Sequence, residues 1–433
     1  MRNKTVLCAL LLAGCLAALQ ASSIETVILP NGMKLIHKFN PANDVVSSYV
    51  FIPGGGRHEP DGKAGIAVLA QQLAARGTHA RTSEKIAFEI ESCGGNLSAS
   101  ASEDYLQFFV KTTVDNVEKG FKLLADIVIN PTFPEDEFIK EKENQLTRLK
   151  TRSEQISTLA LDELNKYQFV HHSYGIPLPG TDETVRRISR EDVIDWYADQ
   201  ARPAGAILSV VGNIKFKTLQ KLITLYFNEW KEPSEPRPII LPVIVEPRSD
   251  DISRVLPRDF KQSFIARGYL FPSGLTEDYA ALKLINEILG GGLSRRLFQK
   301  FREEKPYAYS VDCFYSTKME KSQFVMYIGL DQQNVDDAQR EFSSMILSFQ
   351  HNPVSIQELE ESKTHCIGTY IMRQQSNDNQ AWYLGFWELI GRGYAYNQLF
   401  PDEISRITVE QIQQAAQTYF NVHPVTITIQ GTK

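Results

Sequence analysis

A proline-rich segment near the middle of the chain divides the sequence into two parts of similar length. Five prolines fall between Lys231 and Arg248, in the run KEPSEPRPIILPVIVEPR. Proline has no backbone donor and a fixed φ, so such a run favours extended backbone and excludes a helix or a central strand. We therefore predict an amino-terminal domain over 22–230, a stiff connector over 231–248 and a carboxy-terminal domain over 249–433.

The two parts follow the same order of sequence patterns. Each has an apolar strand, a turn, an apolar helix, an amphipathic helix, a long charged helix, a capped helix and a β-branched strand. The matched segments are Val45–Ile52 with Phe264–Phe271, Gly65–Arg76 with Asp278–Leu289, Val114–Val128 with Asn334–Phe349, Glu135–Arg152 with Ile356–Met372, and Ala206–Val211 with Val425–Ile429, with Ser189 and Thr408 as the caps. The repetition predicts an α+β fold of two homologous α/β-sandwich domains, each a mixed sheet packed with helices, related by duplication. Chance similarity of two α+β domains is the alternative.

The first residues have the pattern of a targeting segment. Arg2 and Lys4 precede the apolar stretch Val6–Leu19, which is too short to span a bilayer comfortably. We predict a signal peptide over residues 1–21 and a periplasmic or secreted bacterial protein. Lipoprotein anchoring through Cys15 is the alternative, because the four residues that end there resemble a lipobox. No later stretch is apolar enough to predict an integral membrane segment.

Composition argues against several other classes of protein. The net charge is -6 and the sequence has no long basic run, so we expect no nucleic-acid partner. Five cysteines without C-x-x-C spacing argue against a disulfide framework or a thiolate zinc site. The sequence also lacks a G-x-S-x-G turn or a Cys/His signature, which would indicate an autonomous hydrolase with other chemistry.

Several ordered motifs carry a family resemblance over essentially the whole mature chain. In the first part these motifs are Tyr174–Pro177, Gly180–Thr184, Ser189–Asp192, Ala201–Pro203 and Val210–Asn213. In the second part they are Gly290–Phe298 and Ala308–Val311. Together they resemble the inverzincin metallopeptidases, the pitrilysin and insulysin family, and within it the processing-peptidase-like subunits with two domains.

The zinc motif of that family is altered in this sequence. The family carries H-x-x-E-H on the first apolar helix, with a third zinc ligand on the long charged helix. In register with the flanking glycines, the helix IAVLAQQLAARGT places Val68, Gln71 and Gln72 at the three motif positions. The third ligand position, seven residues after Glu141, is Arg148. Valine and a permanent cation do not ligate zinc and an amide is not a base, so we expect no metal in this chain.

The second part retains two side chains that the family uses at a shared active site. The resemblance places Arg302 and Tyr309 at the positions of an arginine and a tyrosine that face the scissile peptide. A guanidinium and a phenol can donate hydrogen bonds to a substrate carbonyl and its developing oxyanion. A surface cation and a core aromatic residue are the structural alternative.

Two glycine-rich segments also have counterparts in the family. The resemblance makes Gly290, Gly291 and Gly292 a loop that contacts substrate, and a plain turn is the alternative. Gly94–Ala99 stands where active subunits have an edge strand that pairs with an extended substrate. Because Ser98 replaces a usual asparagine there, we carry over the position of the strand but not its binding.

These features predict a zinc-less subunit that works with a partner. The expected partner is a homologous subunit that carries H-x-x-E-H and zinc, and the expected substrate is a peptide. In this interpretation the chain is inactive alone and supplies Arg302 and Tyr309 to the partner's active site. The alternative is a catalytically dead structural or peptide-binding protein with the same fold.

Overall fold

The computed structural model describes residues 24–233 and 244–432, and its first half is built on a mixed β-sheet of six strands. The strands are β1 Ile24–Ile28, β2 Lys34–Phe39, β3 Val45–Pro53, β4 Asn96–Ala101, β5 Tyr105–Thr113 and β6 Ile207–Gly212. Their order across the sheet is β1-β2-β6-β3-β5-β4. The β2/β6 pair is parallel, and every other neighbouring pair is antiparallel.

The second sheet repeats the arrangement of five strands of the first. Its strands are β7 Ile252–Arg258, β8 Ser263–Phe271, β9 Ala308–Tyr315, β10 Ser322–Leu330 and β11 Val425–Gly431, in the order β7-β11-β8-β10-β9. The β7/β11 pair is parallel, like β2/β6 in the first sheet, and the remaining pairs are antiparallel. The order and directions match those of β2-β6-β3-β5-β4, which confirms the two α/β-sandwich domains of one plan.

Helices cover both sheets. Those of the first half are Ile66–Ala74, Ser83–Ser92, Val117–Ile129, Glu135–Ser153, Ile156–Gln168, Asp182–Arg187, Arg190–Gln200 and Phe216–Phe227. Those of the second half are Tyr279–Leu289, Arg296–Phe298, Val335–His351, Ile356–Arg373, Asn377–Leu389, Tyr396–Arg406 and Val409–Tyr419. Short 3-10 turns cover Gly55–His58, Val114–Asn116, Ser173–Gly175 and Gln332–Asn334, and a π-helical turn covers Gln299–Glu304. Ser189 and Thr408 cap their helices, as predicted, and both caps are reciprocal capping boxes.

One helix from each half packs on the sheet of the other half. Ile156–Gln168 lies against β8 and β11, and Asn377–Leu389 lies against β3 and β6. Glycine makes both contacts close. A Cβ at Gly268 of β8 would lie 2.9 Å from Leu164, and a Cβ at Gly385 would overlap the ring of Phe51. The halves are therefore interlocked by reciprocal helix packing and not joined by the connector alone.

The turn between β9 and β10 adds polar contacts between the halves. The backbone N–H of Met319 donates to Asp104 Oδ2 at 3.0 Å, and Arg57 NH1 donates to Glu320 Oε1 at 3.2 Å. Asp104 is buried, and this burial raises the pKa of its carboxyl group. Paired polar groups buried across the interface fix the register of one half against the other.

Two sequence predictions concern segments that the structure describes only in part. The signal peptide over 1–21, including Cys15, lies outside the described residues, as does most of the connector over 231–248. At the described end of the connector, Val245 is buried with Phe169 and Leu270. The domain boundaries remain a prediction. Within 24–233 and 244–432, no helix is both long enough and apolar enough to cross a bilayer.

Candidate functional site

The helix Ile66–Ala74 carries the altered motif and is preceded by a glycine in the left-handed backbone conformation. Gly65 has φ +98°, and a Cβ there would lie 2.6 Å from Pro179 O, so the position requires glycine. Glu59 Oε1 accepts hydrogen bonds from the backbone N–H groups of Gly65 and Ala67 at 3.0 and 2.9 Å. This carboxyl group satisfies helix N-terminal donors that the glycine cap leaves open. The helix is therefore held rigidly at its start.

Two of the altered ligand positions meet directly. Arg148 NH2 donates to Gln72 Oε1 at 2.7 Å, across the interface between the short helix and Glu135–Ser153. Glu141, two turns before Arg148, accepts a hydrogen bond from Arg76 Nε at 3.0 Å and is buried. The structure thus brings Gln72 and Arg148 together on two facing helices. A cation–amide hydrogen bond stands at the position that the resemblance assigns to zinc.

The other two motif positions do not supply donors for a metal either. Gln71 is 0% exposed, and neither amide atom has a hydrogen-bond partner among the described residues. Val68, half-buried on the same helix face, offers only methyl groups. No group of three or more His, Cys, Asp or Glu side chains in the described residues is arranged to hold a metal ion. Valine, two neutral amides and a guanidinium do not fit zinc, which prefers imidazole, thiolate or carboxylate ligands.

The retained arginine lies in the π-helical turn Gln299–Glu304 and contacts the backbone of β9. Arg302 NH1 donates to the carbonyl oxygens of Ala308 and Tyr309, at 2.8 and 3.0 Å. Its guanidinium also lies 5.6 Å from the centre of the Phe298 ring. The structure thus brings Arg302 to the residue that the resemblance paired with it.

The retained tyrosine lies at an irregular position of an edge strand. Gly329 of β10 pairs with Ser310 and Leu330 pairs with Ala308, so the register skips Tyr309. An extra residue of this kind redirects a side chain, and such bulges are common beside active sites. The ring is 58% exposed. Tyr309 is therefore the second residue of β9 and is exposed to solvent, so the core-aromatic alternative does not describe it.

Sequence reasoning missed the hydrogen-bond partner of this tyrosine. Tyr309 Oη donates to Asp331 Oδ1 at 2.8 Å, and this bond raises the pKa of the Tyr309 phenol. Asp331 directly follows β10, so it reaches Tyr309 only through the pairing of β10 with β9. The two residues are far apart in sequence and form no motif, which leaves no sequence signal for this contact.

The glycine triplet ends the helix Tyr279–Leu289 and runs against β9. The backbone N–H of Gly291 donates to Asp312 Oδ1 at 3.3 Å, and a Cβ at Gly290 would overlap that carboxyl group. Gly291 has φ +78°, whereas a Cβ at Gly292 would meet no atom within 4 Å. Close packing therefore explains Gly290 and the positive φ explains Gly291, whereas Gly292 borders open space.

The predicted edge strand is present as β4, with a cavity at its start. Asn96, Ser98 and Ser100 are exposed along one face of the strand. A cavity of about 370 Å³ lies beside Asn96, and Lys111 and Asp378 are among the residues that line it. Lys111 Nζ contacts Asp378 Oδ2 at 2.9 Å, so the helix Asn377–Leu389 of the second half borders this cavity.

Family models match both parts of the chain. Residues 34–182 match the insulinase family, peptidase family M16, and residues 187–365 match the peptidase M16 inactive domain. The chain belongs to the M16 peptidase family. Solved structures of M16-like proteins share its fold over nearly the whole chain. A protease from Helicobacter pylori has a TM-score of 0.88 at 21% identity, covering 94% of this chain and 99% of that one.

Further matches agree with the M16 assignment. A peptidase M16 inactive domain from Pseudomonas fluorescens has a TM-score of 0.87 at 19% identity, covering 95% of this chain and 98% of that one. The uncharacterized zinc protease YmxG of Bacillus subtilis is 25% identical, covering 92% of this chain and 96% of the relative. The zinc protease PqqE of Helicobacter pylori is 24% identical, covering 82% and 81%. Both of these relatives are named zinc proteases. This chain, in contrast, is a zinc-less M16 member, because its motif positions hold no zinc ligands.

Proposed function

We propose that this chain is the zinc-less subunit of a heterodimeric zinc endopeptidase. Its partner is a homologous M16 subunit that carries H-x-x-E-H and zinc. The chain binds peptide substrate together with that partner and supplies Arg302 and Tyr309 to the partner's active site. The observation that carries the proposal is the contrast between the two halves. Arg148 is hydrogen-bonded to Gln72 at the altered motif, whereas the second half keeps both polar donors at an exposed edge.

The chemistry of the second half supports the proposal. Tyr309 is an exposed phenol, and Arg302 lies in contact with its backbone, so the two donors form one unit. The described hydrogen bonds of Arg302 both come from NH1, on the side that faces the strand. Donors of this kind, aimed at a peptide carbonyl, stabilise the charge that develops on its oxygen. They require a separate hydrolytic centre, which the partner provides.

A structural or peptide-binding protein without catalytic duty is the second candidate. Arg302 and Tyr309 both make hydrogen bonds within this chain, so a purely structural role accounts for their contacts. The exposed strand β4 and the cavity beside Asn96 could also accept an extended peptide without any cleavage. This candidate predicts that the chain binds a partner or a peptide, and that peptide cleavage by any complex it forms does not depend on Arg302 and Tyr309.

Co-purification from the native host tests the proposed partnership. The tagged chain should carry down a homologous subunit with H-x-x-E-H, and the pair should cleave peptides that the tagged chain alone leaves intact. A chain that elutes as a monomer, and stays inert when mixed with every such homologue, would contradict the proposal. We also propose that the pair works in the periplasm or outside the cell, either free or anchored through Cys15. Mass spectrometry of the mature amino terminus distinguishes the two forms.

A further inference from the structure

The side chain of Asp331 is committed to Tyr309 and not to its own turn. Asp331 precedes the 3-10 turn Gln332–Asn334, and its backbone carbonyl accepts from Asn334 N at 3.1 Å. Its carboxyl group makes no capping bond to that turn. An aspartate in this place usually caps the following turn. Here its Oδ1 instead accepts a hydrogen bond from the Tyr309 hydroxyl group, with 2.8 Å between the two oxygens.

We propose that Asp331 is a positioning residue that holds the Tyr309 phenol in a resting orientation, from which a bound peptide releases it. The inference rests on the proposed function, because it concerns the tyrosine that faces the partner's substrate. A phenol has one proton to donate. While the phenol donates its hydrogen bond to Asp331, it cannot donate one to a substrate oxyanion. Tyr309 must therefore exchange one acceptor for the other in each turnover.

The negative charge of Asp331 also disfavours the substrate oxyanion that the Tyr309 phenol stabilises. A carboxylate one hydrogen bond from the phenol oxygen repels an oxyanion that binds the same hydroxyl. The guanidinium of Arg302, on the backbone side of Tyr309, attracts that oxyanion. Because the tyrosine is 58% exposed, water screens both effects and the hold of Asp331 is weak. A weak hold suits a group that must be released during turnover.

Replacement of Asp331 in the assembled complex tests the inference. Asp331→Asn keeps an oxygen acceptor and removes the charge, so kcat should rise about two- to tenfold with little change in KM, as expected when one charge-assisted hydrogen bond becomes an ordinary one. Asp336→Asn makes the same change at an exposed site in the next helix and should leave kcat unchanged. In a Tyr309→Phe background, Asp331→Asn should have no effect. Unchanged or reduced kcat in the single variant would overturn the inference.

A titration of the free chain separates this inference from the proposed function. In NMR spectra of ¹³C-labelled tyrosine, the Tyr309 signal is identified by its loss in Tyr309→Phe. Asp331→Asn should lower the pKa of that phenol, and Asp336→Asn should not. A pKa that does not move would show that the two side chains do not pair in solution and would overturn the inference directly. A complex that never cleaves peptide, despite a shifted phenol pKa, would instead overturn the proposed function and the catalytic release that depends on it.

Discussion

Arg148 NH2 lies 2.7 Å from Gln72 Oε1, and this bond joins two helices at the position where the family binds zinc. The guanidinium is 56% exposed, and it also lies 3.8 Å from Glu141. A fixed cation at this point repels a divalent metal, and the amide that it contacts is a poor ligand. The altered site is thus a polar contact between two helices, made by Arg148 and Gln72, in which the zinc ligands are replaced by a hydrogen-bonded pair.

We predict that the purified chain holds no stoichiometric zinc. Gln71→Glu alone should not restore zinc binding, because it does not add the two histidine ligands and does not remove Arg148. The combination Val68→His, Gln71→Glu, Gln72→His and Arg148→Glu recreates the ligand set and should bind about one zinc per chain. Metal analysis after extensive dialysis checks both statements. Tightly held zinc in the wild-type chain would contradict the first, and a folded, metal-free combined variant would contradict the second.

We predict that the contact between Gly385 and Phe51 stabilises the interlocked halves. Gly385→Ala should lower the free energy of unfolding by about 1–2 kcal/mol, because the added methyl group overlaps the Phe51 ring and forces the crossing helix outward. The matched control is Gly368→Ala, in an open part of the helix Ile356–Arg373, which should raise the free energy of unfolding by about 0.5–1 kcal/mol. Urea unfolding measures both. Equal effects of the two substitutions would contradict the packing described for the crossing helix.

We predict an acid-sensitive contribution from His37 on β2. This histidine is 0% exposed, and burial lowers its pKa from 6.5 to about 4. Between these values the unfolded chain binds a proton that the folded chain does not, so stability is complete above pH 6.5 and falls as the pH drops toward 4. His37→Leu should abolish about 2–3 kcal/mol of the loss between pH 7 and 4.5, whereas exposed His79→Leu should not. Urea unfolding at the two pH values decides, and an unchanged loss in His37→Leu would contradict the prediction.

Local patterns predicted the separate elements well. The long charged helix was expected over Glu135–Arg152 and spans Glu135–Ser153, since proline and an acidic first turn define its start. The caps at Ser189 and Thr408 depend only on residues within one turn. Each of these features is determined by neighbours in the sequence, which is why a single sequence sufficed.

Contacts between distant segments could not be predicted in this way. The apolar residues of Asn377–Leu389 are visible in the sequence, but no pattern indicates that this helix covers the sheet of the other half. The bond between Tyr309 and Asp331 depends on the register between β9 and β10, including the skipped residue. The resemblance therefore singled out Arg302 and Tyr309 as candidates, while the contacts that surround them required the structure.

Peptide cleavage by the mixed subunits tests the central claim most directly. The chain alone should be inert, and addition of a zinc-bearing M16 partner should give endopeptidase activity. Tyr309→Phe should lower kcat of the assembled pair about a hundredfold, the usual effect of losing one oxyanion donor. Arg302→Ala should lower it at least as much, because the guanidinium is charged and also holds the backbone of β9. With assembly verified by size-exclusion chromatography, wild-type turnover in the Arg302→Ala, Tyr309→Phe double variant would contradict the account.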